Sequence, residues 1–226
     1  YPGMKLAVGE ALQCPTILRN GFGDHRIEGI GDKHIPWIHN VKNTDMVIDI
    51  DDEDALRLLR LFAEEEGLAY LAEEAGVDAE TLEKLSWLGI SGIANVLCCV
   101  KMARYYEFTG RDVVVTVLTD SAAMYGSRVA ELAAGHGPYD RRAAALDHRL
   151  HLLGLRTDAM AELNYCDRRR VHNLKYYTWV EQQGRTAAEL DELWYGDEWE
   201  KVHAQVGELD ALIDQFNTAS GVLGQL

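Results

Sequence analysis

The chain has 226 residues, 47% hydrophobic and 26% charged, a globular balance with material for one large core or a core plus an appendage. Its formal net charge of -15 argues against a nucleic-acid backbone as partner, because phosphates are bound by Lys and Arg that displace counterions. No run reaches the roughly 18 to 20 apolar residues of a membrane span, and the opening "YPGMKLAVGE" has no signal-peptide pattern, so a cytoplasmic protein in a reducing compartment is expected.

In chain order, "KLAVGEAL" (5–12) predicts a strand leading into a loop over 13–23 rich in Gly, Pro and Asn. "HRIEGIGDKHIP" (25–36) reads as a glycine-kinked, charged loop closed by proline. "DMVIDI" (45–50) predicts a second strand. Asp51 and Asp52 offer an N-cap, and apolar spacing predicts a helix running to Gly67. "LAYLAEEAG" and "DAETLEKLS" predict two short helices, the second capped by Asp78. "SGIANVLCCVKMARYYEFTG" predicts a helix buried on more than one side, capped by Ser91 and ended by Gly110, with Cys98 and Cys99 as small core residues.

"DVVVTVL" (112–118) is a near-continuous apolar run and predicts a strand covered on both faces of a parallel sheet. The alternation is that of an α/β, three-layer, mostly parallel sheet, in which ligands sit beyond the carboxyl ends of the strands. "TDS" (119–121) stands at such an end. From Gly135 onward the pattern is helical and amphipathic with no strand. Leu190, Leu193, Trp194, Val202, Val206, Leu209, Leu212 and Ile213 are the expected packing positions. The expected division is an α/β domain over 1–134 and a helical extension over 135–226.

Gly29 and Gly31 are not a dinucleotide fingerprint, since the third glycine and a strand leading into a helix are missing. His34 with His39, and His148 with His151, have spacings that metal ligands can use. No cysteine or carboxylate stands beside them at a ligand spacing, and no metal is expected. There is no G-x-S-x-G elbow. Ser121 lies just past the 112–118 run, where a hydroxyl can bond a ligand atom, while Asp120 or Ser121 can also cap the helix that follows.

Taken together, these pieces resemble cysteine synthases. "HRIEGIGDKHIP" resembles the H-K-I-Q-G-I-G-x-x-x-I-P segment of that family, and "DMVIDIDDEDALRLLRLFAEEEG" its strand, acidic cap and helix. "LGISGIANVLCCVKMAR" is similar to its G-I-S-S-G-A-A helix start, and "VVVTVLTDSAAMY" to the V-V-V-x-L-P-D-S segment of cystathionine β-synthases. The motifs keep their order over about residues 1–130. The resemblance implies the tryptophan-synthase-β-like fold of pyridoxal-phosphate enzymes and β-elimination or β-replacement on a small amino acid. It implies that Ser121 bonds the pyridine nitrogen of pyridoxal 5'-phosphate. It also implies that Gly29 and Gly31, with Ile30 between them, let backbone approach the cofactor and substrate, and that the segment from Glu28 to Lys33 lines the mouth of the site.

The departures are one Ser in "GISG" where the family often has two, Thr119 where relatives carry Pro, and an insertion over about 68–86. The family's Schiff-base lysine, ring-hydroxyl asparagine and glycine-rich phosphate loop have no match. No catalytic residue is therefore assigned, and the chain is expected to be the carboxyl-terminal part of such an enzyme, inactive without the N-terminal half. Homodimers are usual in the family, and "KYYTWVEQQG" is a candidate contact. The alternatives are a non-catalytic subunit or interaction module, and a threonine-dehydratase-like member of the same superfamily.

Overall fold

A computed structural model describes residues 3–224. Strand β1 (Ala7–Ala11) pairs in parallel with β2 (Met46–Ile50), with Ala7 opposite Met46 and Ala11 opposite Ile50. Helix α1 (Thr16–Arg19) and a long loop lie between them. The carboxylate of Glu10, on β1, accepts hydrogen bonds from the α1 backbone at Ile17 and Leu18, both 2.9 Å. That satisfies N–H groups that a helix start leaves unpaired.

After β2, Asp51 accepts a hydrogen bond from Glu53 N and starts α2 (Asp52–Ala63). The helix ends sooner than its sequence predicts. Glu64 is extended, and a separate helix α3 (Glu65–Glu73) begins beyond it. The reason is a close approach. A Cβ at Gly67 would stand 2.3 Å from the carbonyl O of Leu61, so the chain doubles tightly back on α2. Asp78 caps α4 (Ala79–Leu85) by accepting from Thr81 N.

Helix α5 (Ile90–Tyr105) lies across the sheet with Ile90, Ile93, Ala94 and Leu97 buried. Its N-cap is Gly89, and Ser91 lies inside its first turn, one correction to the sequence reading. The helix stops at Tyr105, well before Gly110. Met46, Ile48 and Ile50 pack with α2 and α5 into the main core, all at most 1% exposed. By strand alternation Val47 and Asp49 face the opposite side. There Ile35, Val41 and Val171 form a smaller cluster.

The run 112–118 is not a strand. It pairs with none of the described residues, and Val113 and Val115 are 85% and 84% exposed. An apolar β-branched run meets the local requirement for a strand, but a strand also needs a neighbour for its backbone, and none stands beside it here. The third strand comes from the stretch expected to be helical throughout. Strand β3 (Met160–Glu162) pairs antiparallel with β2, Ile48 opposite Met160. The result is a small mixed sheet, in the order β1-β2-β3, with flanking helices: a partial α/β arrangement.

Between these elements lie α6 (Gly126–His136) and α7 (Arg141–Asp147), the latter continued as a π-helix over His148–Leu153. After β3, α8 (Tyr165–Lys175) starts with a capping box of Asn164 and Asp167. α9 (Ala187–Tyr195) repeats the device with Thr186 and Glu189. Leu190, Leu193 and Trp194 are buried, as their spacing predicts. On α10 (Glu198–Ala204) and α11 (Val206–Ser220) the other expected packing positions stay exposed: Val202, Val206, Leu209, Leu212 and Ile213. An amphipathic pattern requires a covering surface, and none of the described residues supplies one. No helix among the described residues is long and apolar enough to cross a membrane.

These burials separate two classes of apolar residue. Ile48→Ala, in the centre of β2, is expected to cost about 2–5 kcal/mol in urea unfolding. Val115→Thr is expected to stay within about 0.5 kcal/mol of the parent. A comparable loss for both would contradict an uncovered 112–118 segment.

Candidate functional site

The loop of residues 25–31 is tied down at several points. His25 Nε2 lies 2.7 Å from the carbonyl O of Gly31. Arg26 N donates to Asp52 Oδ2 at 2.8 Å, and the Arg26 guanidinium reaches Asp52 and Glu53 at 3.3 Å and 2.7 Å. This joins the loop to the start of α2. Ile27 is fully buried in the main core, and Glu28 pairs with Arg128 of α6. Between these anchors Gly29 and Gly31 have φ of 93° and 86°, a left-handed conformation that side chains disfavour.

Two cavities flank the loop. One of about 620 Å³ is lined by Cys14, Phe22, His25 and Lys33 as well as the loop. The other, about 260 Å³, is lined by Glu10, Ile17, His34 and His39 on its far wall. Gly29, Ile30 and Gly31 border both, so this stretch forms a partition with no side chain at two of its three positions.

A second group of polar residues converges at the start of α5. Gly89 N donates to Asp120 O at 3.1 Å. A Cβ at Gly89 would fall 2.2 Å from Asp120 Oδ1, so glycine is what admits the contact. Ser91 Oγ lies 3.1 Å from Thr119 Oγ1 and donates to Asp120 Oδ1 at 3.2 Å, while Tyr125 OH donates to Asp120 Oδ2. Burial, then the Asp120 carboxylate, raise the Tyr125 phenol above its ordinary value, which keeps its proton on the donor side of that bond. Ser121 follows in extended conformation, half-buried, and its hydroxyl caps nothing.

The two groups meet. A Cβ on Gly29 would stand 3.4 Å from Ser91 Cβ and 3.5 Å from its Oγ. Ser91 therefore touches the glycine loop on one side and Thr119 and Asp120 on the other. Of the expected site residues, Gly29 is the one in contact with this junction. Ile30 packs on the core and Gly31 lies against His25. Ser121 is next in sequence to Asp120. Ser91 itself was read only as a helix cap. Its burial at 3% and its place between two glycines in "GISG" are the signals of its bridging position.

Beneath the loop, Glu10 and Asp49 occupy paired positions on β1 and β2, and both are buried. Neither carboxylate oxygen of Asp49 has a hydrogen-bond partner among the described residues. Burial, and next the charge of Glu10, push the Asp49 carboxyl up to about 8, against the pull of Lys101. Burial raises Glu10 as well, opposed by its bonds to α1.

The paired histidines do not converge on ligand sets. His34 bonds Thr178 at 2.7 Å and His39 bonds Thr44 at 2.8 Å. His148 lies 3.3 Å from Tyr70 OH, and His151 lies 2.7 Å from Asp54, whose carboxylate raises its affinity for a proton. Among the described residues no three His, Cys, Asp or Glu side chains are grouped to hold a metal.

No protein-family model matches the chain, and no solved structure does. The chain is similar to cysteine synthases. It is 30% identical over 116 residues to cysteine synthase B of Campylobacter jejuni, which covers 51% of this chain and 31% of that protein. It is 32% identical over 103 residues to cysteine synthase A of Escherichia coli, covering 46% and 26%. The match thus spans less than a third of the length of these relatives, a distant kinship.

Two outcomes follow from this geometry. Gly31→Ala places a Cβ 2.9 Å from His25 Nε2 at a positive φ, and about 1–3 kcal/mol of stability is expected to be lost. Gly110→Ala, which meets nothing within 4 Å, is the control. The second concerns Asp49. Unfolded, it releases its proton near ~3.9, whereas the folded chain retains it to about 8. Its contribution to stability is full below the unfolded value and declines as pH rises to the folded one, by up to about 1.4 kcal/mol per pH unit. Urea unfolding at pH 5 and pH 8 is expected to show Asp49→Asn gaining on the parent at the higher pH. An equal difference at both pH values would refute the buried-acid assignment.

Proposed function

We propose that residues 1–134 form one wall of a pyridoxal 5'-phosphate site in a lyase or transferase of the cysteine-synthase kind, acting on a small amino acid in the cytoplasm. Residues 135–226 are a predominantly helical extension in this reading, and a homodimer is the expected assembly. The observation that carries the reading is the junction at Ser91, which touches Gly29 of the loop on one side and Thr119 and Asp120 of the "TDS" turn on the other. The likeness to cysteine synthases supports it independently.

The chain's residues suit one end of the cofactor. Ser121, with no capping bond to make, has a hydroxyl free to meet a ring nitrogen. Asp120, held by Ser91 and Tyr125, fixes the turn that presents it. Gly29 and Gly31 give a wall of bare backbone that a flat ring and a small substrate can approach closely. Bound pyridoxal phosphate supplies an electron sink, and a neutral hydroxyl at its nitrogen tempers that sink in favour of β-elimination and β-replacement.

The lysines suit the opposite end poorly. Lys42 donates to Trp194 O, Lys101 to Asp49 O, and Lys175 to Trp37 O and His39 O. These three of the seven lysines are engaged by backbone carbonyls, and none of the seven stands in a stretch that matches the family's lysine motif. The imine-forming lysine and the phosphate cradle are therefore assigned to polypeptide outside these 226 residues.

The test has two arms. The 226-residue chain mixed with pyridoxal phosphate is expected to give no borohydride-reducible imine band; a strong band would place the lysine inside the chain and overturn the assignment. The gene upstream of Tyr1 is expected to encode a lysine-bearing half with a glycine-rich loop. In that full protein, Ser121→Ala should lower turnover about tenfold or more without abolishing the imine. Full-rate turnover in the variant would overturn the role given to Ser121, and a start codon immediately upstream would favour a non-catalytic subunit. Assays with O-acetylserine, serine, cysteine and threonine separate β-chemistry from a threonine-dehydratase-like activity.

A further inference from the structure

Residues 112–120 run without helix, turn or bend. Their exposure alternates as in a strand. Val113, Val115 and Val117 are 85%, 84% and 67% exposed, whereas Val114 and Leu118 are 38% and 46%. The less exposed set lies against α5. Leu118 Cδ2 is 3.5 Å from where a Gly92 Cβ would be, Thr116 and Cys99 line one cavity, and Asn95 Nδ2 donates to Val117 O at 2.9 Å. Gly92, Asn95 and Cys99 fall on one stripe of the helix. The segment thus has the pleat of a strand and a helix beneath it, yet residues 113–119 make no backbone–backbone hydrogen bond among the described residues.

The free edge of β1 stands nearby. β1 is the outermost strand of the sheet, bonded only to β2. It rests on the same helix: a Cβ on Gly9 would lie 2.9 Å from Cys98 Sγ and 3.8 Å from Asn95 Oδ1. Asn95 therefore reaches β1 with one side-chain atom and Val117 with the other. A cavity of about 390 Å³ is walled by residues 3–7 and Gly9 on one side, by residues 112–116 on the other, and floored by Asn95, Cys98, Cys99 and Met102.

We infer that this cavity is a slot for one added β-strand, an apolar segment of a polypeptide outside these 226 residues, hydrogen-bonded to β1 on one side and to residues 113–118 on the other. Unpaired backbone on both walls calls for backbone between them, because N–H and C=O groups taken out of water must be paired. That is recognition by strand addition, here with two edges in place of one. Cys98, Cys99 and Met102 of the floor, with Phe108, give an apolar surface for apolar residues at alternate positions. Val113, Val115 and Val117 stay uncovered on the opposite face, so the donor also brings an apolar surface across them, as a strand followed by a helix does.

A second copy of the chain fits less well. Its own β1 edge belongs to a folded sheet, which a slot walled on both sides does not admit, and both copies carry a charge of -15. The similar cysteine synthases have more than two thirds of their length outside the matched stretch, so donor polypeptide is abundant in such proteins. The inference stands on unpaired backbone and does not depend on any cofactor.

The experiment fuses a seven-residue strand of alternating Val and Ala to the amino terminus of the full chain through a flexible linker of about ten residues, which gives millimolar effective concentration. Hydrogen exchange at the amides of residues 113–118 is expected to slow about tenfold or more relative to the unfused chain. A fusion with Pro at alternate strand positions is expected to exchange like the unfused chain. Equal protection by both fusions, or protection by neither, would overturn the slot. So would a dimer in sedimentation with these amides already protected in the unfused chain, which would make the occupant a second copy.

Discussion

The local structure around the site depends on how closely α5 approaches its neighbours. Its contacts with β1 and with the 119–121 turn are made where side chains are absent: Gly9 meets Cys98, and Gly89, its N-cap, meets Asp120 at distances that no Cβ would permit. Its first turn brings Ser91 against Gly29 and the "TDS" turn, and its middle supports both β1 and the 114–118 segment. One helix therefore sets the positions of the glycine partition, the Asp120 turn and the unpaired segment together. Close packing transmits such constraints because interiors leave little slack.

Ionic ties then fix what α5 cannot reach. Arg26 holds the loop to α2, and Arg128 with Glu28 holds it to α6. Arg60, itself buried, is compensated by Glu64, by the Gly137 carbonyl and by the face of Tyr139 at 4.7 Å. A buried guanidinium needs all of its donors occupied, and here the partners come from two separate stretches of chain. The loop is thus held from both ends while its two glycines remain free of side-chain contacts of their own.

Much of this was legible locally. Strand β1 followed from a short, partly apolar run and β2 from a β-branched one, and Asp51 and Asp78 cap the helices their spacing predicted. What failed was non-local. The 112–118 run has every intrinsic feature of a buried strand, and nothing in its own residues reports whether a neighbour is there. Strand β3 is three residues long, with no pattern to detect. The end of α2 at Glu64 depends on Gly67 passing close to Leu61, a contact invisible in spacing. Gly29 and Gly31 were singled out, but the link from Gly29 to the "TDS" turn runs through Ser91, whose bland local reading as a cap concealed it.

The large negative charge acquires a further meaning beside the uncovered valines. A free β1 edge next to an apolar, unpaired run is a template for the growth of aggregates from unfolded copies, whose strands are not yet held in a sheet. Mutual repulsion between copies opposes that growth, and it acts only over a Debye length of about 10 Å at 0.1 M salt. The acidic surface therefore serves as a colloidal barrier whose reach shrinks as ionic strength rises, leaving the dispersed state of the chain dependent on its solvent as well as on its fold.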